Sequence, residues 1–506
     1  MNAGGDAIEH KMSKPRNAYY GLLIIMIVYA AFFIACNLQG HAAFQTAGFD
    51  LGNYDQAMWN TLHGKPLAMT TVQSISSRWA AHFEPILLLL VPIYAVFNSP
   101  QTLLIWQTVI VALGAVPIFL LACRNLAGNL TGLVFAIVYL LFPALQAAIT
   151  FDFHAVAMAS TFLSFALWFL ATRRYRLLAV MTLLAMSCKE EISLLVLMMG
   201  IYVWLVQRQR RWGAAIIAAG ALWFALVNLV IIPATSPTGE NIQLYRYSRW
   251  GDDMGQIIAN LLLHPFSSLE IMFSGDRLRY WLRATMPVAF TALLDPFTLL
   301  MAVPTMAINT LSSFPPNYQL DRFHYSITIV PFVAVASING LRHLIDFAKP
   351  HLHYASPIFL RNVLMVMVLS ATLAYQVQFG YAPLGRYFAW PQPSPRRSLI
   401  ETFLAMIPAE ASVSAQNNLV AHLSQREQIY IYPKIAHDGH QAEYILLDWG
   451  GSIVPFHKWD DYCRSVAAIL TDDRYGLIAA QDGLLLLQRN RPNRVTVSSQ
   501  SCFDWH

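Results

Sequence analysis

From Ala18 to Leu38 the chain carries no charged side chain. A segment of that length and character is long enough to cross a bilayer, which takes about 20 predominantly apolar residues as a helix. Inside the hydrocarbon it has to satisfy its own backbone, so a helix is the form available to a single stretch. Further apolar segments lie near 100–123, 130–148, 154–171, 176–188, 190–206, 212–233, 281–294, 297–312, 324–341 and 358–378. The expectation is a mainly α, polytopic membrane protein with about eleven transmembrane helices. Several segments are short, and these are expected as half-helices packed within protein. The chain is 56% hydrophobic and 12% charged, against roughly 25% charged in an ordinary soluble protein. That excludes a wholly soluble enzyme, a disordered chain and a nucleic-acid-binding domain.

Positive charge orients the spans, because Lys and Arg in short loops stay on the cytoplasmic side. Lys11, Lys14 and Arg16 precede the first span, placing the N-terminus in the cytoplasm and His41–Glu84 outside. No small-residue cleavage site follows the first apolar core, so a retained helix is expected rather than a signal peptide. Pro85–Phe97 is too short to span and is expected as an interfacial or re-entrant helix. Leaving it out of the count puts Arg124, the Arg173/Arg174/Arg176 cluster and the Arg208/Arg210/Arg211 cluster inside. Arg342, Lys349 and Arg361 then mark a further cytoplasmic segment. Residues 1–379 read as a transmembrane module with outer loops at 39–99 and 234–280.

After Gly380 the composition changes. Pro383, Pro391, Pro393 and Pro395 form a linker, and 380–506 reads as a soluble α/β domain outside the membrane. Gln428–Tyr432, Tyr444–Leu447 and Leu484–Leu487 are short β-rich runs. Ser398–Ile407, Leu419–Ser424 and Trp459–Leu470 are helical. The chain has five cysteines and no CxxC pair. Cys463 and Cys502 fall on the oxidising side in this topology, and sequence leaves open whether they meet.

The polar residues out of keeping with a membrane chain gather on the outer side. Phe49-Asp50-Leu51-Gly52-Asn53-Tyr54-Asp55 opens the first outer loop. Asp50 is expected to cap a short helix with Tyr54, Met58 and Leu62 on its apolar face, Asp55 one turn in, and Gly64 at its end. A plain interfacial helix would explain the same pattern. Arg78, His82 and Glu84 precede the short apolar helix. Headgroup contact could explain Arg78, whereas His82 and Glu84 begin a buried helix. Asp152 and His154 lie between two apolar spans, where ionisable groups are functional candidates or a solvated hairpin cap. Lys189, Glu190 and Glu191 interrupt another apolar run, either as a site or as a paired helix break. Asp321, Arg322, His324 and Tyr325 open a later span. Arg246, Arg249, Arg277, Arg279 and Arg283 contravene the positive-inside tendency and suit an anionic lipid phosphate or ordinary headgroups. Acids, histidines and cations at one membrane face suit chemistry on a lipid-phosphate substrate, with a carboxylate as base and cations or a metal stabilising the departing phosphate. No phosphate loop, HExxH or GxSxG motif occurs in the chain.

One helix, an outer loop with an early acid, a proline-initiated short helix and many spans resembles the GT-C superfamily of membrane glycosyltransferases. That superfamily includes protein O-mannosyltransferases and the aminoarabinose transferases of lipid A. FDLGNYDQAMWNTLHGKPL, SRWAAHFEPILLLL, FDFH, SCKEE, DRFHYS and, in the outer domain, VSAQNNLVAHLSQREQIYIYP look more closely like a bacterial and archaeal membrane family, domain of unknown function 2079. The resemblance implies a GT-C fold, an extracytoplasmic active site and a polyprenyl-phosphate sugar donor. It also implies an acidic base or metal ligand matching Asp50, with Asp55 as the alternative and Asp152 as the second acidic site. Leu51 stands where better-known branches pair Asp with Glu, which leaves the division between Asp50 and Asp55 open.

The reading that follows is an inner-membrane, inverting glycosyltransferase acting on an extracytoplasmic glycan, lipid or protein acceptor. Asp50, Asp55, Asp152 and His154 form its catalytic set, and Lys189, Arg246, Arg249, Arg279 and Arg283 hold the donor phosphate. Arg78, His82, Glu84, Glu190, Arg322, His324 and Tyr325 bind substrate. A divalent cation (Mg or Mn) on Asp50 and Asp152 is the one cofactor considered. The rivals are a lipid or glycolipid flippase, which also uses broken helices, and a non-catalytic glycolipid-binding protein. Polar groups at one face, rather than along a route, weigh against transport.

Overall fold

The computed structural model describes residues 16–72, 75–351 and 356–505. Five of its helices are long and apolar enough to cross a membrane: Arg16–Ala42, Pro100–Asn125, Arg210–Thr235, His324–Ala348 and Pro357–Phe379. A bent pair, Asn129–Leu140 and Pro143–Thr150, breaks by 47° and would make a sixth. Pro143 opens its second half, where its missing N–H and fixed φ are tolerated. The first helix shows the logic of all of them. Leu22, Met26, Tyr29 and Phe33 are buried along one stripe, whereas Tyr20, Ile24, Ile27 and Val28 are exposed. The spacings of three and four put each set on its own face, one for protein and one for lipid.

Three helices expected as spans are shorter: Ala155–Ala171, Tyr175–Met186 and Ile192–Leu205. The segment Ile86–Val96 forms the short helix expected before the second span, and its 11 residues reach only about 16 Å. The expectation fails at 281–294. There an amphipathic helix, Gly275–Thr285, gives way to two 3₁₀ turns, Met286–Val288 and Thr291–Leu294. Pro287 and the positive φ of Ala289 and Phe290 interrupt the helical ladder. Similarly, 297–312 is two short helices, Pro296–Leu300 and Val303–Leu311.

The C-terminal part contains a five-stranded mixed sheet. Its strands are β1 (Val413–Ala415), β2 (Ile429–Ile431), β5 (Tyr444–Asp448), β6 (Tyr475–Gln481) and β7 (Leu484–Arg489). The order is β2-β1-β5-β7-β6, and a small hairpin pairs β3 (Ala436–His437) with β4 (His440–Gln441). β1 runs parallel to β2 and β5, whereas β7 is antiparallel to β5 and β6. The helix Trp459–Leu470 lies where its periodicity predicts, and Cys463 and Cys502 are joined in a disulfide. The strands β1 and β6 have no counterpart among the expected runs.

The first outer loop is built into this sheet region. Phe44 belongs to the same apolar cluster as Val413, Leu419, Val420 and Ile429. Thr70 hydrogen-bonds Ile429 in both directions, its hydroxyl donating at 2.8 Å and accepting at 3.0 Å. Lys434 donates to the carbonyls of Thr70 and Val72 at 2.9 and 3.0 Å.

Candidate active site

Asp50 does not cap the helix after it. It sits inside a π-helical turn, Gly48–Gly52, that runs directly into the helix Asn53–Leu62. Gly64, at positive φ, follows that helix as expected. The turn is seated on the C-terminal part of the chain. A Cβ on Gly48 would lie 2.6 Å from the Val420 Cβ, and one on Gly52 would lie 3.0 Å from the Val420 Cγ1. A side chain at Gly48 would have to push Val420 aside. The Phe49 N–H donates to the Asn417 side chain at 3.2 Å, fixing the turn beside Asp50.

The Asp50 carboxylate faces a cleft of about 770 Å³ of space that opens to solvent. His154 Nε2 lies 3.1 Å from its Oδ1. The Gln107 side chain accepts from the His154 N–H at 2.6 Å, and the His324 ring stacks on the imidazole at 3.6 Å. Arg78 closes one wall. It donates to Glu84 at 2.7 Å, to Asn53 at 3.0 Å and to the Tyr54 hydroxyl at 2.5 Å. Tyr54 in turn donates to Glu84 at 2.7 Å. With its partners supplied from within the wall, Arg78 acts as a clamp on the helix that follows Asp50.

A second cleft, of about 1000 Å³ of open space, adjoins the first. Leu194, Phe224, Ile257, Leu261 and Leu311 make it largely apolar. His82, Lys189, Gln243, Arg246 and Tyr325 line both clefts and mark their junction. The Tyr325 ring carries Lys189 Nζ at 5.7 Å and the Arg246 guanidinium at 5.5 Å, so one aromatic ring contacts both cations. Lys189 pairs with Glu191 at 3.2 Å, and His82 Nδ1 lies 2.9 Å from Glu190. Burial opposes the charge on Lys189, but Glu191 and Glu190 outweigh it and raise its pKa. Burial likewise pushes the Glu190 carboxyl up, but His82, with help from Lys189, holds it at about 2. Among the described residues, buried polar atoms around these clefts lack a hydrogen-bond partner: Glu190 Oε2, Gln243 Oε1, His154 Nδ1 and His324 Nδ1. Such groups are rare unless a ligand or water meets them.

Other candidates stand apart. Asp55 is fully buried on the far side of its helix and accepts from Tyr94 at 2.5 Å and Ser424 at 2.6 Å. Burial raises its carboxyl pKa to about 6 against these hydrogen bonds. It ties the loop to the C-terminal part and does not line the Asp50 cleft. Asp152 holds the turn before His154 at positive φ and accepts from the Ala47 N–H at 2.7 Å. Burial and the neighbouring Asp50 charge push its pKa well up, and its side borders a separate cleft with Tyr381 and Tyr387. Arg249 is exposed, and Arg279 pairs at the surface with Asp276 at 2.7 Å. Arg283 and Arg322 belong to another cluster. Arg283 lies 3.7 Å from Asp321, and Arg322 lies over the Tyr387 ring at 3.9 Å.

Among the described residues, no three His, Cys, Asp or Glu side chains are grouped to hold a metal ion. Asp152 accepts from a backbone N–H through one oxygen, and Asp50 faces His154 through one of its own. The divalent cation expected on this pair would have these two carboxylates as its protein ligands, and no step of the chemistry is routed through it. Sequence reading missed Gln243, which sits in the 3₁₀ segment Ile242–Tyr247 and carries no motif, and Asn417, Val420 and Ser424. These last three lie within the VSAQNNLVAHLSQREQIYIYP segment, whose distinctiveness was the available signal.

Residues 40–486 match the family described as "Predicted membrane protein (DUF2079)". No curated protein matches the chain. Its fold is similar to two crystal structures of ArnT from Cupriavidus metallidurans. One is bound to undecaprenyl phosphate, with a TM-score of 0.50 at 13% identity, covering 92% of this chain and 98% of that one. The other is in the apo state, with a TM-score of 0.51 at 12% identity, covering 93% and 98%. The chain thus has an ArnT-like fold.

Proposed function

The chain belongs to the DUF2079 membrane-protein family, and from that premise we propose that it is an inverting glycosyltransferase of the cell inner membrane. It takes a sugar from a polyprenyl-phosphate donor and passes it to an acceptor hydroxyl on the extracytoplasmic side. In this reading the N-terminus is cytoplasmic, residues 1–379 form the membrane module and 380–506 the outer domain. The observation that carries the proposal is the junction. An apolar cleft fit for a lipid chain ends at Lys189 and Arg246, and across that junction opens the cleft faced by the Asp50 carboxylate. The bound lipid phosphate of the ArnT crystal structure supports the same donor class.

The chemistry follows from that order. The lipid tail lies along Leu194, Ile257 and Leu261, and the donor phosphate rests between Lys189 and Arg246. The sugar extends toward Asp50. The acceptor hydroxyl gives its proton to Asp50 as its oxygen attacks the anomeric carbon. The bond from that carbon to the phosphate oxygen breaks, and its electron pair leaves with the lipid phosphate, stabilised by the two cations. Attack opposite the departing oxygen inverts the anomeric centre. His154 orients the carboxylate, and the His154–His324 stack keeps that imidazole in place.

Purified full-length protein in nanodiscs, offered polyprenyl-phosphate sugars, tests the reading. Transfer by the wild type, lost in Asp50→Asn with lipid-phosphate binding retained, is the expected result. Arg246→Ala should weaken donor binding roughly tenfold or more. Retained transfer in Asp50→Asn would overturn the assignment of the base. Donor lipid moving between leaflets without any transfer would favour the flippase.

A further inference from the structure

The charge at the cleft junction does not suit an anionic ligand until one more group is counted. Lys189 and Arg246 are the fixed cations there, and Glu190 and Glu191 are the carboxylates beside them. Lys189 pairs with Glu191 and His82 with Glu190. With a neutral His82 the two cations are matched by two carboxylates, and a phosphate would meet no net attraction. Burial of Glu190, 6% exposed, makes an unpaired carboxylate costly and favours a charged partner at 2.9 Å.

Resting on the transferase reading, we propose that His82 is a further catalytic residue. It binds the donor as an imidazolium, completing the positive charge that receives the phosphate, and gives its Nε2 proton to the phosphate oxygen as the sugar leaves. Nδ1 is committed to Glu190, which leaves Nε2 for the junction that His82 lines on both sides. The step balances. The donor is a phosphodiester with one negative charge, and scission of its sugar–oxygen bond alone would release a dianion. The His82 proton makes that product a monoanion, while the acceptor proton passes to Asp50. Solvent then exchanges a proton from Asp50 back to His82. General acid assistance of this kind contributes about 10²–10⁴-fold.

The groups sharing this environment set its charge. They are Glu190, Lys189 and Glu191 from the turn before Ile192, Arg246 from the 3₁₀ segment Ile242–Tyr247, and His324 and Tyr325 from the later span. Arg78, Glu84, Asp50 and His154 complete the polar cleft.

Two readouts on full-length protein in nanodiscs test this. The first is binding of undecaprenyl phosphate at one fixed pH without acceptor. His82→Gln should bind it roughly tenfold more weakly than the wild type. The second is transfer from the polyprenyl-phosphate sugar. His82→Gln should lose about 100-fold in kcat, and Glu190→Gln should lose a smaller factor. Should His82→Gln misfold, His82→Asn and Glu190→Gln decide the matter. Lipid-phosphate binding and kcat both within about twofold of the wild type in a folded His82 variant overturn the role of His82. Absence of transfer by the wild type under all conditions overturns the transferase reading instead, and the binding comparison still reports on His82.

Discussion

Asp50 and Asp55 lie five residues apart on one run of helix and meet opposite surroundings. Asp50 lies in the π-helical turn and Asp55 in the α-helix that follows it, and the two carboxylates leave this run toward different partners. Asp50 faces an open cleft and has His154 at 3.1 Å. Asp55 faces inward, fully buried, with Tyr94 and Ser424 as hydrogen-bond donors. One carboxylate is reachable by a substrate hydroxyl. The other holds the first outer loop against the C-terminal part of the chain. The contrast shows that an acid in a promising motif takes its role from what surrounds it, and one of the partners here, Ser424, lies 369 positions away in the chain.

The comparison can be broken first at Asp50. Asp50→Asn should lower kcat about 10³-fold with little change in donor binding, and Asp55→Asn should leave most of the activity of whatever protein folds. A larger catalytic loss at Asp55 than at Asp50 would reverse the two roles. Steady-state transfer with a polyprenyl-phosphate sugar measures both.

The next largest effect belongs to stability. The folded carboxyl of Asp55 titrates near 6 because it is buried, above the ordinary aspartate value of about 3.9. The folded state therefore holds the proton more tightly, and stability falls as pH rises from about 4 to about 6. The difference between about 3.9 and about 6 amounts to about 3 kcal/mol. Asp55→Asn should flatten that slope, read as unfolding midpoints of detergent-solubilised protein from pH 4 to 7. An unchanged slope would mean that Asp55 is solvated.

A smaller effect tests how the Asp50 turn is held. Gly48→Ala places a Cβ 2.6 Å from Val420, and overpacking of this kind costs about 1–3 kcal/mol. The turn should shift and kcat should fall roughly tenfold, with donor affinity unchanged. Val420→Gly in the same chain should restore the rate. Failure of that rescue would separate the seating of the turn from catalysis. The smallest effects are expected at Arg249 and Arg279, which lie at the surface away from the junction. Alanine at either should change the donor KM by less than about twofold.

Much of this was legible in the sequence, and for identifiable reasons. Long uncharged stretches predict helices because hydrocarbon leaves the backbone little choice, and Arg16–Ala42 and Pro357–Phe379 appear where their composition puts them. The segment 281–294 misled because apolar content alone does not weigh Pro287 and the turn at Ala289 and Phe290. Asp50, His154, Lys189, Arg246, His82, His324 and Tyr325 were singled out from six separate stretches, and the structure brings them around two adjoining clefts. Asp152, Arg283 and Arg322 came from the same stretches or similar ones and point elsewhere. Side-chain direction depends on local turns, such as the left-handed Asp152 itself, which residue type does not reveal.

The sequence by itself determined that the chain is a helical membrane protein with chemistry-bearing residues in the connections and a C-terminal α/β part, because hydropathy and periodicity are local properties. Tertiary structure alone decided which of those residues meet. It seated the Asp50 turn on Val420 and Asn417, turned Asp55 inward to Ser424, and set Lys189 and Arg246 on one Tyr325 ring. Each of these contacts joins residues far apart in the chain, and packing, unlike hydropathy, is a property of pairs.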